Sequence, residues 1–302
     1  NSMISDVPLL NRITHYVVKR KGKQMRPMFV FLTAKMMSDS TLINEKVYRA
    51  ASIIELIHTA TLIHDDVVDS SDKRRGFFSL NALWKNKIAV LVGDFLLSKG
   101  MLLCIDNDDF DLLKIISKSV KDMSQGELLQ IEKARRLDIT EQVYFDIIRQ
   151  KTATLIAACC ASGANSVGES AATIEQMRLF GEKAGIAFQI KDDLLDYSEN
   201  GALIGKPVFQ DLKEGKVTYP FYFANKNAND SEKIKLESFL GKKNINQQTA
   251  FKLISNLDGI RETEKLALKY LKKAAKAANL IDDKNISKEM IELVNSAMYR
   301  KK

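Results

Sequence analysis

Cysteine, proline and glycine are all scarce in this chain of 302 residues, which holds 3, 4 and 14 of them. Cys159 and Cys160 are adjacent, Cys104 stands apart, and no CxxC pair exists, so neither a disulfide framework nor a zinc site is encoded. A reducing, cytoplasmic compartment suits such a chain. So few turn-formers exclude a sandwich or barrel, which must turn about every ten residues, and predict an all-α fold of long helices. Only three histidines occur, His15, His58 and His64, and none forms an HExxH pattern. No apolar run reaches the roughly 18 residues of a bilayer span, and the N-terminus shows no charged-then-apolar leader. Asn1-Ser2-Met3 reads as a truncated or tag-derived start. With no Pro/Gly/Ser-rich linker and no repeat of fixed period, residues 1–302 read as a single domain, large enough to bury a core without covalent staples.

Charge is plentiful but mixed. The 46 Lys and Arg against 38 Asp and Glu give a formal net charge of +8 and a pI near 9.2. Excess positive potential attracts nucleic acid, anionic membrane or a polyanionic small molecule. One basic cluster, Lys19-Arg20-Lys21-Gly22-Lys23-Gln24-Met25-Arg26, stands early, and the remaining cations are interspersed with acids as on solvated helices. No aromatic-plus-basic stacking pattern accompanies them, which excludes an RNA-binding module and leaves no nucleic-acid partner. The terminal Tyr299-Arg300-Lys301-Lys302 is too short to anchor a membrane, so membrane contact is at most peripheral.

Apolar residues recur at helical spacing through most of the chain. Ala50, Ile53, Ile54, Ile57, Ala60 and Thr61 make one stretch too apolar for a surface helix; it belongs in the centre of a bundle and leads into His64-Asp65-Asp66-Val67-Val68-Asp69. Further helices are predicted at about 88–104, 109–136, 140–163, 170–196, 230–240, 247–256, 259–279 and 286–299. Between them, Gly201 to Pro220 reads as a structured loop carrying Lys206, Asp211, Lys213 and Lys216, and such loops commonly serve function.

The strongest feature is a duplication, Asp65-Asp66-Val67-Val68-Asp69 and Asp192-Asp193-Leu194-Leu195-Asp196, both DDxxD. On a helix, residues four apart share a face about 6 Å apart along the axis, so Asp65 stands above Asp69 and Asp192 above Asp196. Two carboxylates at that spacing repel by roughly 3 kcal/mol at an effective dielectric near 20, and a cation must compensate. Hard divalent cations prefer oxygen ligands, and Mg2+ takes one or two carboxylates together with water and phosphate oxygens. A single DDxxD is as readily a solvated acidic helix end; two, each following an apolar helical stretch, point to a metal-bound diphosphate. An EF-hand is excluded, because the sixth and twelfth loop positions counted from Asp65 hold Ser70 and Gly76. A metal-bound diphosphate keeps excess negative charge, and Lys23, Arg26, Arg74, Arg75, Lys151, Lys206 and Lys216 stand beside the acidic clusters, glycine turns and helix ends. Arginine meets phosphate in a bidentate fork, lysine as a point charge.

These motifs resemble those of the trans-isoprenyl (polyprenyl) diphosphate synthases over nearly the whole chain. The resemblance rests on Gly22-Lys23-Gln24-Met25-Arg26-Pro27, HTATLIHDDVVD from His58 to Asp69, Arg74-Arg75-Gly76, Val92-Gly93-Asp94, Gly126-Glu127, Lys151-Thr152, FQIKDDLLD from Phe188 to Asp196, and GKVTYP from Gly215 to Pro220. It implies the isoprenoid synthase fold, a helical bundle around a central cavity with both acidic motifs at its mouth, and a homodimer. By the same resemblance, Asp65, Asp66, Asp69, Asp192, Asp193 and Asp196 would chelate Mg2+ on an allylic diphosphate that Arg74, Lys151, Lys206 and Lys216 also contact. Lys23, Arg26, His58 and Arg75 would hold isopentenyl diphosphate, and Thr152 and Gln189 would line the reacting centre.

The implied reaction ionises the allylic C–O bond, lets the double bond of isopentenyl diphosphate attack the cation, and loses a proton to the released diphosphate. No protein nucleophile is required, in keeping with the absence of a Ser-His or Cys-His arrangement. Two positions depart from the family pattern: Lys21 replaces the first glycine of GGKxxRP, and Phe209 stands where relatives often carry glycine. In the family, a bulky aromatic residue five places before the first Asp blocks long products; here that place is Ala60, with Thr61 beside it and Ile57 deeper. On an ideal helix only Thr61 and Ile57 share the face of Asp65. The segment resembles the octaprenyl and solanesyl type, which makes quinone side chains from a geranyl or farnesyl primer. A shorter-chain farnesyl or geranylgeranyl synthase and a non-catalytic partner subunit of a heteromeric synthase are the alternatives. A terpene cyclase shares the fold but typically carries an NSE-type second motif, whereas here the second DDxxD is complete.

Overall fold

In the computed structural model of the chain, the described residues are 5–19, 22, 24–38, 43–74, 77–136, 139–197, 209–242 and 244–278, with the single positions 288, 292 and 294. The all-α expectation is borne out: thirteen α-helices and one π-helical segment account for nearly all of the described structure, joined by one two-stranded hairpin. Cα packing divides the chain into two compact units, residues 1–117 with 159–174, and residues 118–158 with 175–302.

The first unit contains α1 (Pro8–Lys19), α2 (Met25–Met36), α3 (Glu45–Val68), the hairpin strands β1 (Lys73–Arg74) and β2 (Phe77–Phe78), α4 (Leu80–Ile105), the start of α5 (Phe110–Arg136) and the end of α7 (Thr154–Ser166). Asn44 caps α3, its side-chain oxygen accepting from the Val47 amide at 3.0 Å while its amide nitrogen donates to the Ser166 carbonyl at 2.9 Å. As its all-round apolarity predicts, α3 is central, with Val47, Ala50, Ile53, Ile54, Ile57 and Ala60 buried. It packs chiefly on α4. Glycine permits the closest approaches: a Cβ on Gly100 would stand 3.4 Å from Ile57, and one on Gly93 would lie only 2.2 Å from the His64 ring.

Helix α4 starts earlier than its periodicity suggests, because a first turn from Leu80 joins the main helix through Lys85, whose φ of 71° breaks the regular geometry. One expectation is corrected here. Although Asp94 and Lys99 interrupt the apolar run, α4 is long and apolar enough to cross a membrane by length and composition. Its buried positions, among them Ala89, Val92, Leu96 and Cys104, face the core of the first unit, while Val90, Leu91, Leu102 and Ile105 are exposed.

In the second unit the predicted 140–163 helix is three pieces: α6 (Glu141–Ile148), a π-helical turn (Arg149–Ala153) and α7. Then follow α8 (Ala171–Asp196), α9 (Gln210–Lys213), α10 (Tyr219–Asn227), α11 (Asp230–Glu237), α12 (Gln247–Asn256) and α13 (Gly259–Ala278). Pro220 belongs to the first turn of α10, where a missing N–H costs nothing, and so ends the loop by starting a helix. Asn229 and Glu232 form a reciprocal capping box at α11. A core of Tyr197, Phe209, Leu212, Phe221, Leu236 and Ile254 with its neighbours holds these short helices together. Each such side chain contributes on the order of 1.5–3 kcal/mol when fully buried. Of the predicted 286–299 helix, only 288, 292 and 294 are described, and these are helical.

Candidate active site

Both acidic motifs end long helices. Asp65 and Asp66 lie in the last turn of α3, with Asp69 its C-cap, and Asp192 to Asp196 close α8; neither helix has a basic residue in its last turn. The carbonyl end of a helix carries partial negative charge, which disfavours an added carboxylate by about 0.3–1 kcal/mol. Each such end carries three acids.

The middle aspartate of each motif is buried, Asp66 and Asp193 both at 4% exposure. The hairpin returns Arg74 to Asp66, its Nε donating to Oδ1 at 2.6 Å. Burial raises the Asp66 pKa, with Arg74 opposing. Asp193 instead accepts from neutral donors: Tyr144 Oη at 2.6 Å on one oxygen and Gln189 Nε2 at 2.9 Å on the other. Burial, followed by the negative neighbour Asp211, pushes its pKa well up, against those two hydrogen bonds. Asp196 accepts from the backbone amides of Gln210 and Asp211 at 2.9 and 3.2 Å and so fixes the turn into α9. Burial also raises the Asp196 pKa, the two amide bonds opposing. Asp65 is half-buried and Asp69 exposed. Asp192 lines a cavity of about 130 Å³ in the second unit with Lys151, Thr152, Gln189, Asp211 and Lys216.

Lys151 and Thr152 sit on the π turn, a geometry that recurs at functional sites. The turn is packed tightly: a Cβ on Gly126 would lie 2.7 Å from the Lys151 amide nitrogen. The Lys151 ammonium pairs with Glu127 at 2.5 Å and donates to Gln130 at 2.9 Å. Thr152 donates to Gln189 Oε1 at 2.7 Å. Lys216 pairs with Glu214 at 2.7 Å. Asp211, beside Asp196, Glu214 and Asp192, is pushed up to about 7, chiefly by burial and only partly countered by Lys216.

In the first unit, Arg26 Nη1 lies 2.8 Å from His58 Nε2, which brings together two of the residues expected to hold isopentenyl diphosphate. Lys23, Arg75 and Lys206 lie outside the described residues, as does Lys21. A largely apolar cavity of about 710 Å³ takes its walls from Tyr48, Ser52, Thr59, His58, Asp66 and Arg74, among others. The stretch of α3 from Tyr48 to Asp66 that borders it is about 27 Å long at 1.5 Å per residue. Ile57 and Ala60 are buried and Thr61 donates to the His58 carbonyl at 2.9 Å; their α3 neighbours Leu56, Thr59, Leu62 and Ile63 are among the residues on the cavity wall.

Phe209, at the place where relatives often carry glycine, adopts the left-handed φ of 58° that glycine would accept freely. For a bulky residue this costs about 1–3 kcal/mol. Burial of its ring edge-on to Tyr197, centroids 5.4 Å apart, offsets that strain. Sequence reasoning missed Tyr144, and it quoted Glu127 within a motif without giving it a role. Tyr144 stands seven residues before Lys151, and Glu127 follows the singled-out Gly126.

The donor set suits a hard cation. Every candidate ligand is a carboxylate oxygen. Among the described residues no three carboxylate, imidazole or thiolate side chains converge as a closed metal cage. Mg2+ asks for less, one or two carboxylates with the rest supplied by substrate phosphate and water. All three cysteines are free and buried; burial pushes Cys104 up to about 11 and Cys160 to about 12, which removes them as thiolate nucleophiles.

The profile of the family described as Polyprenyl synthetase matches residues 7–257. An all-trans-nonaprenyl-diphosphate synthase (geranyl-diphosphate specific) of Rhodobacter capsulatus is 33% identical over 297 residues, 98% of this chain and 90% of that protein. The octaprenyl diphosphate synthase of Escherichia coli K12 is 39% identical over 220 residues, 73% of this chain and 67% of that one. Among solved structures, the polyprenyl synthase of Caulobacter crescentus complexed with calcium and isoprenyl diphosphate superposes with a TM-score of 0.90 at 32% identity, over 100% of this chain and 92% of that one. The chain belongs to the polyprenyl synthetase family and is a prenyltransferase with the isoprenoid synthase fold, as its motifs led us to expect.

Proposed function

We propose that this polyprenyl synthetase condenses isopentenyl diphosphate head-to-tail with an allylic diphosphate, geranyl or farnesyl, to give a long-chain all-trans polyprenyl diphosphate for a quinone side chain. The observation that carries this reading is the pair of DDxxD motifs at carbonyl ends of long helices, neither of which has a basic residue in its last turn. The names of the relatives, octaprenyl and nonaprenyl synthases, support the long product.

In this reading Mg2+ supplies charge neutralisation to the departing diphosphate. Asp65, Asp66, Asp69, Asp192, Asp193 and Asp196 are assigned to it, and protein donors to Asp66, Asp193 and Asp196 help to hold the motifs in place. Arg74, Lys151, Lys206 and Lys216 are assigned to the allylic diphosphate, and Lys23, Arg26, His58 and Arg75 to isopentenyl diphosphate. Thr152 and Gln189 border the carbon where the bond forms. We read residues 1–302 as one catalytic domain, since the chemistry needs both motifs.

The exposed apolar side of α4, with Leu91 at 67% and Leu102 at 47% exposure, is the surface we assign to a homodimer. Leu91→Lys with Leu102→Lys should then yield a monomer in sedimentation equilibrium. The free thiols favour a cytoplasmic enzyme.

Product analysis tests the function: farnesyl diphosphate, labelled isopentenyl diphosphate and Mg2+, with chromatography against prenol standards. Labelled prenols of about eight to ten isoprene units are expected, by analogy with the long-chain relatives. The absence of any labelled product from folded protein would contradict the reading and favour the partner-subunit alternative. Ala60→Phe should shorten the product, at a packing cost of about 1–3 kcal/mol in this buried position. An unchanged product would move the length determinant off Ala60, Thr61 and Ile57 and onto the cavity wall at Thr59 and Leu62.

A further inference from the structure

Four side chains of the second unit form a hydrogen-bonded chain: Tyr144 Oη to Asp193 at 2.6 Å, Gln189 Nε2 to Asp193 at 2.9 Å, and Thr152 Oγ1 to Gln189 Oε1 at 2.7 Å. Tyr144 Oη and Gln189 Nε2 both donate to Asp193, which leaves the Gln189 oxygen facing Thr152. The Thr152 hydroxyl therefore donates to Gln189, its proton is committed there, and its lone pairs remain for the cavity that it shares with Lys151 and Asp192.

Tyr144 sits at the buried end of this chain. Its ring is held by Phe145 and Tyr219, centroids 5.5 and 5.3 Å away, and only 3% of the residue is exposed.

We propose that Tyr144 is a positioning residue of the condensation: by donating to Asp193 it fixes the Gln189 amide and turns the Thr152 oxygen, lone pairs first, towards the site of the allylic cation. A hydroxyl oxygen whose proton points away presents fixed negative potential to developing positive charge, without reorganisation when the charge appears. Tyr144 touches no substrate in this account and acts only through its three partners. The proposal rests on the prenyl-transfer reading above.

The test is a double-mutant cycle on the full-length enzyme with Mg2+, farnesyl diphosphate and isopentenyl diphosphate. Tyr144→Phe should lower kcat by about tenfold or more, the range of a lost oriented group, while the KM of both substrates stays within about twofold. In a Thr152→Val background, the same substitution should change kcat by less than about twofold, because the group it orients is gone. Equal losses in both backgrounds, or a loss confined to KM, would overturn the proposal and leave the condensation reading standing. A parent enzyme that forms no prenyl product would remove that reading and this proposal together. Should Tyr144→Phe fail to fold, 3-fluorotyrosine at position 144 keeps the ring and makes a stronger donor. It should shift kcat in the parent and not in Thr152→Val; no shift in the parent would overturn the proposal.

Discussion

The two acidic motifs have the same spacing and bury the same middle position, yet they compensate that burial differently. At the first, a cation answers the charge: Arg74 returns on the hairpin to Asp66. At the second, neutral donors do so: Tyr144 and Gln189 hold Asp193, and backbone amides hold Asp196. The ion pair with Arg74 opposes the burial that raises the Asp66 pKa, although the shift stays upward. A hydrogen-bonded carboxyl without a cation keeps charge low until a metal arrives, which makes the second motif the one whose protonation and geometry depend more on its ligand.

The largest expected effect treats the motifs as equals. Asp65→Ala and Asp192→Ala should each lower kcat by about a thousandfold or more, which is on the order of 4 kcal/mol of transition-state stabilisation. Turnover within tenfold of the parent in either variant would show that its motif does not hold the departing diphosphate.

Next in size is a dependence on pH. Asp66, Asp193, Asp196 and Asp211 are all raised in the folded protein, Asp211 to about 7. A raised carboxyl binds more protons folded than unfolded, so metal-free stability should fall as pH rises from about 5 through 7, by on the order of 2 kcal/mol. Below that window the lowered glutamates Glu175, Glu182 and Glu214 begin to lose their own contribution. Thermal melts in chelator should show a lower Tm at pH 7.5 than at pH 5.5, and saturating Mg2+ with inorganic diphosphate should flatten the difference. A Tm that rises with pH in chelator would contradict the account of the second motif.

The smallest effect separates the motifs. Asp66→Asn breaks an ion pair whose arginine is partly exposed and should cost about 1–2 kcal/mol. Asp193→Asn keeps an acceptor for Tyr144 and should cost about 1 kcal/mol or less in metal-free protein. Chemical denaturation measures both; equal losses would erase the distinction.

Much of this was legible in the sequence because the decisive features are local. The central helix is readable from its all-round apolarity, and the motifs from their order. Even the burial of the middle aspartates has a sequence signal: Asp66 follows Ala60 and Ile63 at threefold spacing, and Asp193 follows Ile190 and precedes Tyr197, so each occupies a place in a buried stripe. The π turn was not readable, since inserting one residue into a turn leaves the apolar pattern of 140–163 nearly intact. Helix α10 was hidden by Pro220, a turn signal that here opens a helix. Tyr144 looked like one more apolar-face residue, and its partner lies 49 positions away, a separation that no local periodicity encodes.

The central proposal is that each motif is needed to bind a metal-bound diphosphate. Calorimetric titration of the parent, Asp65→Ala and Asp192→Ala with farnesyl thiodiphosphate, whose C–S bond resists ionisation, tests it without turnover. The account predicts Mg2+-dependent binding to the parent and at least a tenfold loss of affinity, about 1.4 kcal/mol, in each variant. Parent-like affinity in either variant would contradict it.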